Sequence, residues 1–323
     1  MAWVGEGREN TGGDNGTRTR DLCLTVRFRL RDGARGVRQE PMKLLYRLTR
    51  KLVPSLVLIS RTPLLAFVLD TIDTICSLPF AEFRGLPPNR FRLRVGIGNR
   101  ILFNQPHFLA LGAGGGWQLF QRNLMHSRSN VLDIGCGCGR TALALRDLFG
   151  FSGMYTGLDV DREMIGWCQR HFSADHFTFV HLNVWNALYH PKGEKVPCVL
   201  PLAAESTDLV FAFSLFTHLL EHDVANYARE AFRVLKPGGT LFASVFCWED
   251  MRDTGKLGAR WTFPHQMENA HVESLRYPEA AVAYDKSFLT KLCQDAGFEK
   301  VEIQREATQS SLICSKNTSP LPH

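Results

Sequence analysis

The sequence predicts an α/β protein with a mostly parallel central sheet that helices cover on both faces. From residue 117 onward, short apolar runs typical of buried strands alternate with longer amphipathic helical patterns. A glycine-rich turn joins the first of these runs to the helix that follows, a junction typical of parallel sheets with helical crossovers. With 45% apolar and 22% charged residues, the 323-residue chain also has the composition of a globular protein with a substantial core.

The predicted elements follow one another without an internal repeat. Strands are predicted at NVLDIG, GMYTGLDV, FTFVHLNV, TDLVFAFSLF and TLFASVF, and helices at RTALALRDLF, REMIGWCQRHF and VANYAREAFRVL. The third helix is expected to end near Pro237, Gly238 and Gly239, because proline and glycine commonly follow helix ends. One more helix, SFLTKLCQDAG, and two strands, EKVEIQR and SSLICSK, complete the pattern.

Composition shifts divide the chain into four parts. Residues 1–41 lack periodicity and are expected to be a disordered basic arm, with Met42 as an alternative start of the protein. Residues 42–116 are expected to form an N-terminal helical cap and linker, rich in turns from residue 81. Residues 117–316 form the predicted main domain, which includes a lid insertion at about 249–283, and residues 317–323 are a tail.

The positive charge lies in the N-terminal arm and not in the main domain. The net charge is +6, and residues 1–51 hold 12 Lys and Arg against 6 Asp and Glu, so the remainder, with 26 of each, is neutral. A neutral body argues against a nucleic-acid enzyme. The nine cysteines lie mostly in apolar runs, a usage typical of an intracellular protein, and we expect a cytoplasmic location.

The cap segment 42–80 leaves two interpretations open. Its apolar stretch, Leu52 to Leu69, approaches the length of a membrane span, but two prolines and Arg61 interrupt it. A helical cap that packs on the main domain is the favoured interpretation. The alternative is a helix on a membrane surface, with leucines on one side and basic residues on the other; these are Lys43, Arg47, Arg50 and Lys51.

The glycine-rich turn, NVLDIGCGCGR, is the strongest functional signal. Its spacing is G-x-G-x-G, at Gly135, Gly137 and Gly139, which lets a ligand approach the backbone closely. Asp133 stands two residues before the first glycine, where an acid would repel a pyrophosphate at the helix N-terminus. The turn therefore favours a cationic, nucleoside-like ligand. Asp159, at the end of the second strand, is placed to accept hydrogen bonds from ribose hydroxyls.

Four segments together resemble the class I S-adenosylmethionine-dependent methyltransferases of the small-molecule branch, types 11 and 25. These segments are VLDIGCGCGR, YTGLDVDREMI, LVFAFSLFTHL and AREAFRVLKPGGTLFAS. The resemblance implies a Rossmann-like sheet of seven strands, with the last strand antiparallel and inserted between its neighbours. It also implies S-adenosyl-L-methionine as the cofactor, and it covers residues 117–315 without specifying the acceptor.

The resemblance also implies a set of cofactor-binding residues. Asp133, Gly135 and Gly137 would line the methionine part, Asp159 would hold the ribose, and Val160 and Met164 would flank the adenine. Asn183 stands where many relatives have an acid that bonds the adenine amine, and an amide oxygen can accept that bond. The same set includes Cys136, Gly139, Val184 and Ser214.

Methyl transfer to a hydroxyl needs a base, and His218 is the candidate because it follows the fourth strand. A structural role at the strand end is the alternative for His218. The acceptor is expected to be a small molecule or a glycan, with O-methylation favoured and no nucleic acid involved. Residues of the lid segment that could contact it are His265, His271, Tyr284 and Asp285.

Other functions remain as alternatives. A non-catalytic protein that retains the cofactor-binding fold is one, and a nicotinamide-dependent oxidoreductase is another, although the G-x-G-x-G spacing disfavours it. A zinc site is not expected, because Cys136 and Cys138 have no second ligand pair at suitable spacing. Phe211 and Phe213 are expected to pack in the core, while the roles of Trp185 and Phe216 stay open.

Overall fold

A mixed sheet of ten strands forms the centre of the fold. The structure, a computed structural model, describes residues 62–96, 101–187, 189–253 and 261–318. The predicted basic arm and the amphipathic start of the cap, up to residue 61, lie outside the described residues. Within them, no helix is both long and apolar enough to cross a membrane.

Five parallel strands set the direction of the sheet. They run in the order β3-β2-β1-β4-β5. Their bounds are β1, Asn130–Ile134; β2, Met154–Asp159; β3, Phe177–His181; β4, Thr207–Ala212; and β5, Leu235–Cys247. Because parallel strands share one carboxyl edge, the residues that follow β1, β2 and β4 come together there.

The predicted insertion of an antiparallel last strand is confirmed. Strand β10, Ser310–Ser315, lies between β5 and β9, Lys300–Gln304, and is antiparallel to both. The predicted count of seven strands was too low, however. The segment expected to be a lid contributes three short strands, β6 (His265–Met267), β7 (Ala270–Val272) and β8 (Val282–Tyr284).

The length of β5 explains the additional strands. Residues 240–245 of β5 pair with β10, and Phe246 and Cys247 extend past it. Strand β8 pairs in parallel with these two residues, and β7 and β6 follow as an antiparallel ribbon. The segment that was expected to be a lid is thus built onto the carboxyl end of β5.

Eight helices flank the strands within the described residues. Three precede the sheet, namely α1, Pro63–Ser77; α2, Asn89–Arg94; and α3, Gln105–Gln121. The others are α4, Arg140–Leu148; α5, Arg162–His171; α6, Glu221–Val234; α7, Trp248–Asp253; and α8, Lys286–Asp295. Alternate residues of each strand face opposite sides, so Leu132 and Val210 lie in one apolar cluster, and Val131 and Phe211 in the other.

Helix α3 corrects the expectation that residues 81–116 are mainly turns. The stretch GAGGG, read as a loop, lies inside α3, so the expected domain boundary after residue 116 falls within a helix. A Cβ at Gly112 would lie 2.5 Å from the Arg140 carbonyl oxygen, and one at Gly116 would lie 2.7 Å from the Phe149 ring. The absence of a side chain at these glycines therefore lets α3 pack closely against α4 and its C-terminal end. This packing outweighs the low helix propensity of glycine.

A buried polar network fixes the N-terminal helices to one another. The Arg92 guanidinium forms an ion pair with Asp73 and donates to the Asn104 side chain at 2.6 Å. Gln105 donates to the second oxygen of Asp73 at 2.8 Å. Asp73 and Arg92 are both nearly inaccessible to water, so each neutralises a charge that would otherwise be buried alone.

We expect Asp73→Ala to destabilise the fold, because it leaves the Arg92 charge buried without its carboxylate. The free energy of unfolding should fall by about 3 kcal/mol, measured by urea denaturation. Asp295→Ala is the matched control, since Asp295 pairs with Lys291 on an exposed helix surface. Its cost should stay below about 0.5 kcal/mol. Equal losses of unfolding free energy in the two variants would show that the buried ion pair stabilises the fold no more than the exposed one does.

Candidate functional site

The turn after β1 adopts a backbone that only glycine tolerates easily. Gly135, Gly137 and Gly139 all have positive φ, at 80°, 56° and 73°. Gly139 is the N-cap residue of α4, so the left-handed geometry continues into the start of the helix. The Gly135 and Cys136 N–H groups donate to the Leu158 carbonyl at 2.8 and 3.0 Å, which ties the turn to β2.

Asp159 joins the end of β2 to this turn. One carboxylate oxygen accepts a hydrogen bond from the Gly137 N–H at 2.8 Å, and the other accepts from the Asp161 N–H at 2.8 Å. Burial raises the pKa of Asp159 to about 6, although these two N–H groups lower it. Each oxygen retains acceptor capacity, so hydroxyl groups of a ligand could still bond to it.

Asp133 lies below the turn, inside the core. Its carboxylate accepts a hydrogen bond from the Tyr155 hydroxyl at 2.6 Å. Burial raises the pKa of Asp133 to about 7; the Tyr155 bond opposes the shift, Asp159 adds to it, and Arg140 opposes it. The acid predicted from the sequence is therefore close to the turn but is held by Tyr155, and a cation bound nearby would favour its ionised form.

The N-terminal helices close over one side of the turn. The Arg94 guanidinium bonds Asp161 at 2.9 Å and Glu163 at 2.7 Å, and Arg140 donates to the Val95 carbonyl at 3.2 Å. A Cβ on Gly137 would lie 2.6 Å from a Val95 methyl group. Any ligand at Gly137 must therefore share this space with Val95.

The residues expected near an adenine are divided between the surface and the core. Val160 lines a cavity of about 780 Å³ that extends from β2 to α1, whereas Met164 is buried in the core. The Asn183 amide donates to Glu194 at 2.8 Å, and its oxygen accepts from His190 at 3.0 Å. Asn183 is thus already held by two neighbours, and the adjacent Val184 packs partly buried against the core.

The loop after β4 lies next to the turn, as the strand order requires. A Cβ on Gly135 would lie 3.5 Å from the Leu215 side chain. Ser214 has a φ of 58°, and its N–H donates to the Ser244 hydroxyl at 2.6 Å. The Ser214 hydroxyl donates to Gln309 at 3.1 Å, so β4, β5 and the start of β10 all meet at this serine.

His218 contacts the segment that follows β5. Its Nδ1 lies 2.9 Å from the Glu279 carbonyl oxygen. Because a carbonyl only accepts, Nδ1 carries the proton, and Nε2 is the basic nitrogen. The ring also meets Tyr189 edge-on, with 5.6 Å between ring centroids. This arrangement suits a base at the carboxyl edge and equally provides a structural contact.

The four candidate lid residues lie in or beside the β6–β8 ribbon but differ in what they contact. Tyr284 is buried, and its hydroxyl donates to the Leu219 carbonyl at 3.0 Å. His271 stacks on Trp248, with 4.1 Å between ring centroids, and lies 4.0 Å from Asp285. Tyr284 is thus a packing residue, whereas His265, His271 and Asp285 are only partly buried.

The cysteines of the described part of the chain are mostly inaccessible. Seven of them are buried, among them Cys136, Cys138 and Cys168 around the glycine turn, and Cys76 is exposed. Burial raises the pKa of Cys138 to about 12 and also raises the pKa of Cys136 and Cys168 well above the ordinary thiol value. Among the described residues, no group of three or more His, Cys, Asp or Glu side chains could hold a metal ion.

Several residues of the site carried no signal in the sequence. In the sequence, Tyr155 looks like an ordinary strand residue. Only the pairing of β2 with β1 brings its hydroxyl within hydrogen-bonding distance of Asp133. Arg94 and Val95 lie about forty residues before the turn, in a segment that was expected to be turns. The contacts of Arg140 were equally hidden, although its place after the last glycine marked it as part of the turn.

The chain is similar to known methyltransferases in its central part. Residues 131–239 match the family model described as a methyltransferase domain. Arsenite methyltransferase of Aquipseudomonas alcaligenes is 32% identical over 116 residues, which cover 35% of this chain and 32% of that protein. The phthiotriol/phenolphthiotriol dimycocerosates methyltransferase 1 of Mycobacterium ulcerans is 31% identical over 147 residues, 44% of this chain and 46% of that protein.

The chain thus spans less than half the length of these curated relatives. Among solved structures, a putative S-adenosyl-L-methionine-dependent methyltransferase from Methanococcus maripaludis has a TM-score of 0.45 at 17% identity. That match covers 67% of this chain and 90% of the other. Because this TM-score is low, the fold is assigned from the strand order of this chain and not from its similarity to that structure.

We expect the buried Asp133 to make stability depend on pH. An acid whose pKa rises from 3.8 to about 7 on folding stabilises the folded chain at low pH and loses that contribution as the pH rises through 7. Asp133→Asn retains an acceptor for Tyr155 and removes the charge. Between about pH 5.5 and about pH 8, the variant should gain about 2 kcal/mol of unfolding free energy relative to the wild type.

Urea denaturation of both proteins at the two pH values measures this gain. Asp175→Asn, at an exposed position, is the control and should show no such change. A constant difference between Asp133→Asn and the wild type across the pH range would contradict the raised pKa of Asp133.

Proposed function

We propose that residues 131–239, which match a methyltransferase domain, form a class I S-adenosylmethionine-dependent methyltransferase. On this premise, the protein transfers a methyl group from S-adenosylmethionine to a small acceptor. One observation carries the proposal. A turn of three left-handed glycines is held at 2.8 Å by a carboxylate from the next strand, inside the matched segment. This arrangement brings bare backbone and a hydroxyl acceptor to the same place, which a nucleoside ligand requires.

The residues at the turn fit the proposed cofactor. Asp159 has acceptor capacity left for the ribose hydroxyls, and Val160 lines the cavity in which an adenine ring could lie. The cationic part of the ligand would be stabilised by Asp133 and Asp159, whose burial otherwise disfavours their charge. The bound cofactor supplies an activated methyl group on a sulfonium, so the protein needs mainly to orient the acceptor and exclude water.

The proposed acceptor is a hydroxyl of a small molecule or a glycan. The Nδ1 bond to Glu279 supports this choice, because it favours the tautomer in which Nε2 is the basic ring nitrogen of His218. Methylation of arsenite, the substrate named for one relative, fits this chain less well. Trivalent arsenic is a soft centre that prefers thiolates, and the cysteines near the turn are buried as thiols.

A second candidate function is non-catalytic cofactor binding. The position of Val95 over Gly137 favours it, because a cover on the turn leaves less room for an acceptor beside a bound cofactor. Calorimetric titration of the purified full chain with S-adenosylmethionine, and separately with NADH, is the first test. Binding of the former alone supports the methyltransferase proposal, and binding of neither would overturn it. Binding of S-adenosylmethionine without turnover on any acceptor would favour the non-catalytic candidate.

We expect Asp159→Ala to weaken S-adenosylmethionine binding strongly. The variant loses two charge-assisted bonds to the ribose and also releases the Gly137 N–H, at a combined cost of roughly 2–4 kcal/mol. This corresponds to a roughly 30- to 1000-fold increase in Kd by calorimetry. Asp175→Ala, at an exposed position, serves as the control. An unchanged Kd in a folded Asp159→Ala variant would remove Asp159 from the site.

We expect His218→Asn to separate catalysis from binding. The Asn amide can replace Nδ1 as a donor to Glu279, but no group replaces the basic Nε2. With a hydroxyl acceptor found by screening, kcat should fall by roughly 10²- to 10⁴-fold, while the Kd for S-adenosylmethionine stays the same. Transfer of a labelled methyl group measures kcat. A variant as active as the wild type, with the same pH profile, would leave His218 with a structural role only.

A further inference from the structure

Helix α1 presents its polar side to the protein and its apolar side to the surroundings. A helix at a protein surface normally does the reverse. The inward residues of α1 recur every three or four positions and are Ala66, Asp70, Asp73 and Ser77. The outward residues, offset by half a turn, include some of the most exposed large apolar side chains of the described chain.

The inward face is held by specific polar contacts. Asp70 forms an ion pair with Arg90 and accepts a hydrogen bond from the Arg90 N–H at 2.8 Å. Asp73 forms an ion pair with Arg92 and accepts from Gln105 at 2.8 Å. Rotating α1 to bury its apolar side would break both ion pairs. The two ion pairs therefore hold α1 with its apolar side facing outward.

The outward face is mainly apolar, and Thr71 and Thr74 are its exposed polar residues. Leu64, Phe67 and Ile75 are 75%, 67% and 60% exposed, and Leu78 and Phe80 continue the surface past the end of the helix at 58% and 47%. Single exposed apolar residues are ordinary, but a contiguous row of this kind is typical of a binding surface.

The charges around this face identify what it fits. The twenty residues that precede α1, 42–61, contain five basic residues and no acidic one; the basic residues are Lys43, Arg47, Arg50, Lys51 and Arg61. At the other end, Arg84 donates to the Leu78 carbonyl at 3.2 Å. Arg162 and Lys192 line the same cavity as Phe67, and the two acidic residues of that cavity, Asp161 and Glu163, both pair with Arg94. Glu82 is the one acidic residue between α1 and Arg84.

We propose that the apolar face of α1 docks on an anionic lipid membrane surface. Apolar side chains with basic residues beside them in the structure and before them in the sequence are the combination that such a surface binds, through burial of the former and attraction of the latter. A second copy of the chain fits less well, because a two-fold contact would bring together two surfaces with the same basic residues, Arg84, Arg162 and Lys192. The proposal concerns location and does not rest on the methyltransferase activity.

Sedimentation of the full chain with lipid vesicles tests the proposal. The vesicles are phosphatidylcholine alone, or phosphatidylcholine with about 30% phosphatidylglycerol. The wild type should bind the anionic vesicles and release as salt is added. The triple variant Leu64→Asn, Phe67→Asn, Ile75→Asn should bind at least ~10-fold more weakly. The control variant Met154→Asn, Val199→Asn, Leu275→Asn changes three exposed apolar residues elsewhere and should bind as the wild type does.

Thermal unfolding and sedimentation velocity of each variant without vesicles identify the other possible occupants. A wild type that binds neither vesicle and forms a dimer that the α1 variant dissociates would assign the face to a second copy. A wild type that stays monomeric without vesicle binding, with an α1 variant of lower Tm, would assign it to other residues of this chain. Either result overturns the proposal, as does equal binding by the α1 and control variants.

Discussion

The hydrogen bond between the Asp159 carboxylate and the Gly137 N–H is the interaction on which the rest of the candidate site depends. It fixes the turn after β1 to the end of β2. The second oxygen of the same carboxylate holds the Asp161 N–H, and Asp161 in turn caps α5 and pairs with Arg94. One acidic side chain therefore determines the turn, the start of a helix and the attachment of the N-terminal cover. The same group must be shared with any ribose that binds, so binding and local order are coupled.

Buried acids give the site its electrostatic character. Burial raises the pKa of Asp133, and the nearby Asp159 adds to the shift, with Arg140 as a partial counter-charge. In the described structure, this environment disfavours two negative charges at once, and a cationic ligand would relieve that cost. A bound cation could therefore change the protonation of Asp133 and Asp159. Tyr155 holds the Asp133 carboxylate in one orientation. Helix α3 packs closely on the start of α4, directly after the turn, because Gly112 meets the backbone of Arg140.

Much of the fold could be predicted from the sequence, because the strands and the turn depend on local patterns. The strands β1 to β5 followed from their apolar runs, and the antiparallel position of β10 followed from the family resemblance alone. The glycine stretch of α3 was misinterpreted, since its reason is contact with Arg140 and Phe149, far along the chain. The ribbon of β6 to β8 was missed because strands of three residues have too little periodicity to detect. In the site, the turn and Asp159 carried local signals, whereas the cover formed by Arg94 and Val95 exists only through tertiary contacts.

The antiparallel insertion of β10 has a consequence for how the chain reaches its native state. Strand β9 joins the sheet only through β10, and β10 pairs with a segment of β5 about seventy residues earlier. During synthesis, the β5 edge therefore stays unpaired until residues 310–315 have left the ribosome. An exposed strand edge is a template for pairing with other chains. We expect folding to be slow in its last step, since long-range strand pairing closes a large loop. An unpaired strand edge of this kind makes the partly folded chain prone to aggregation.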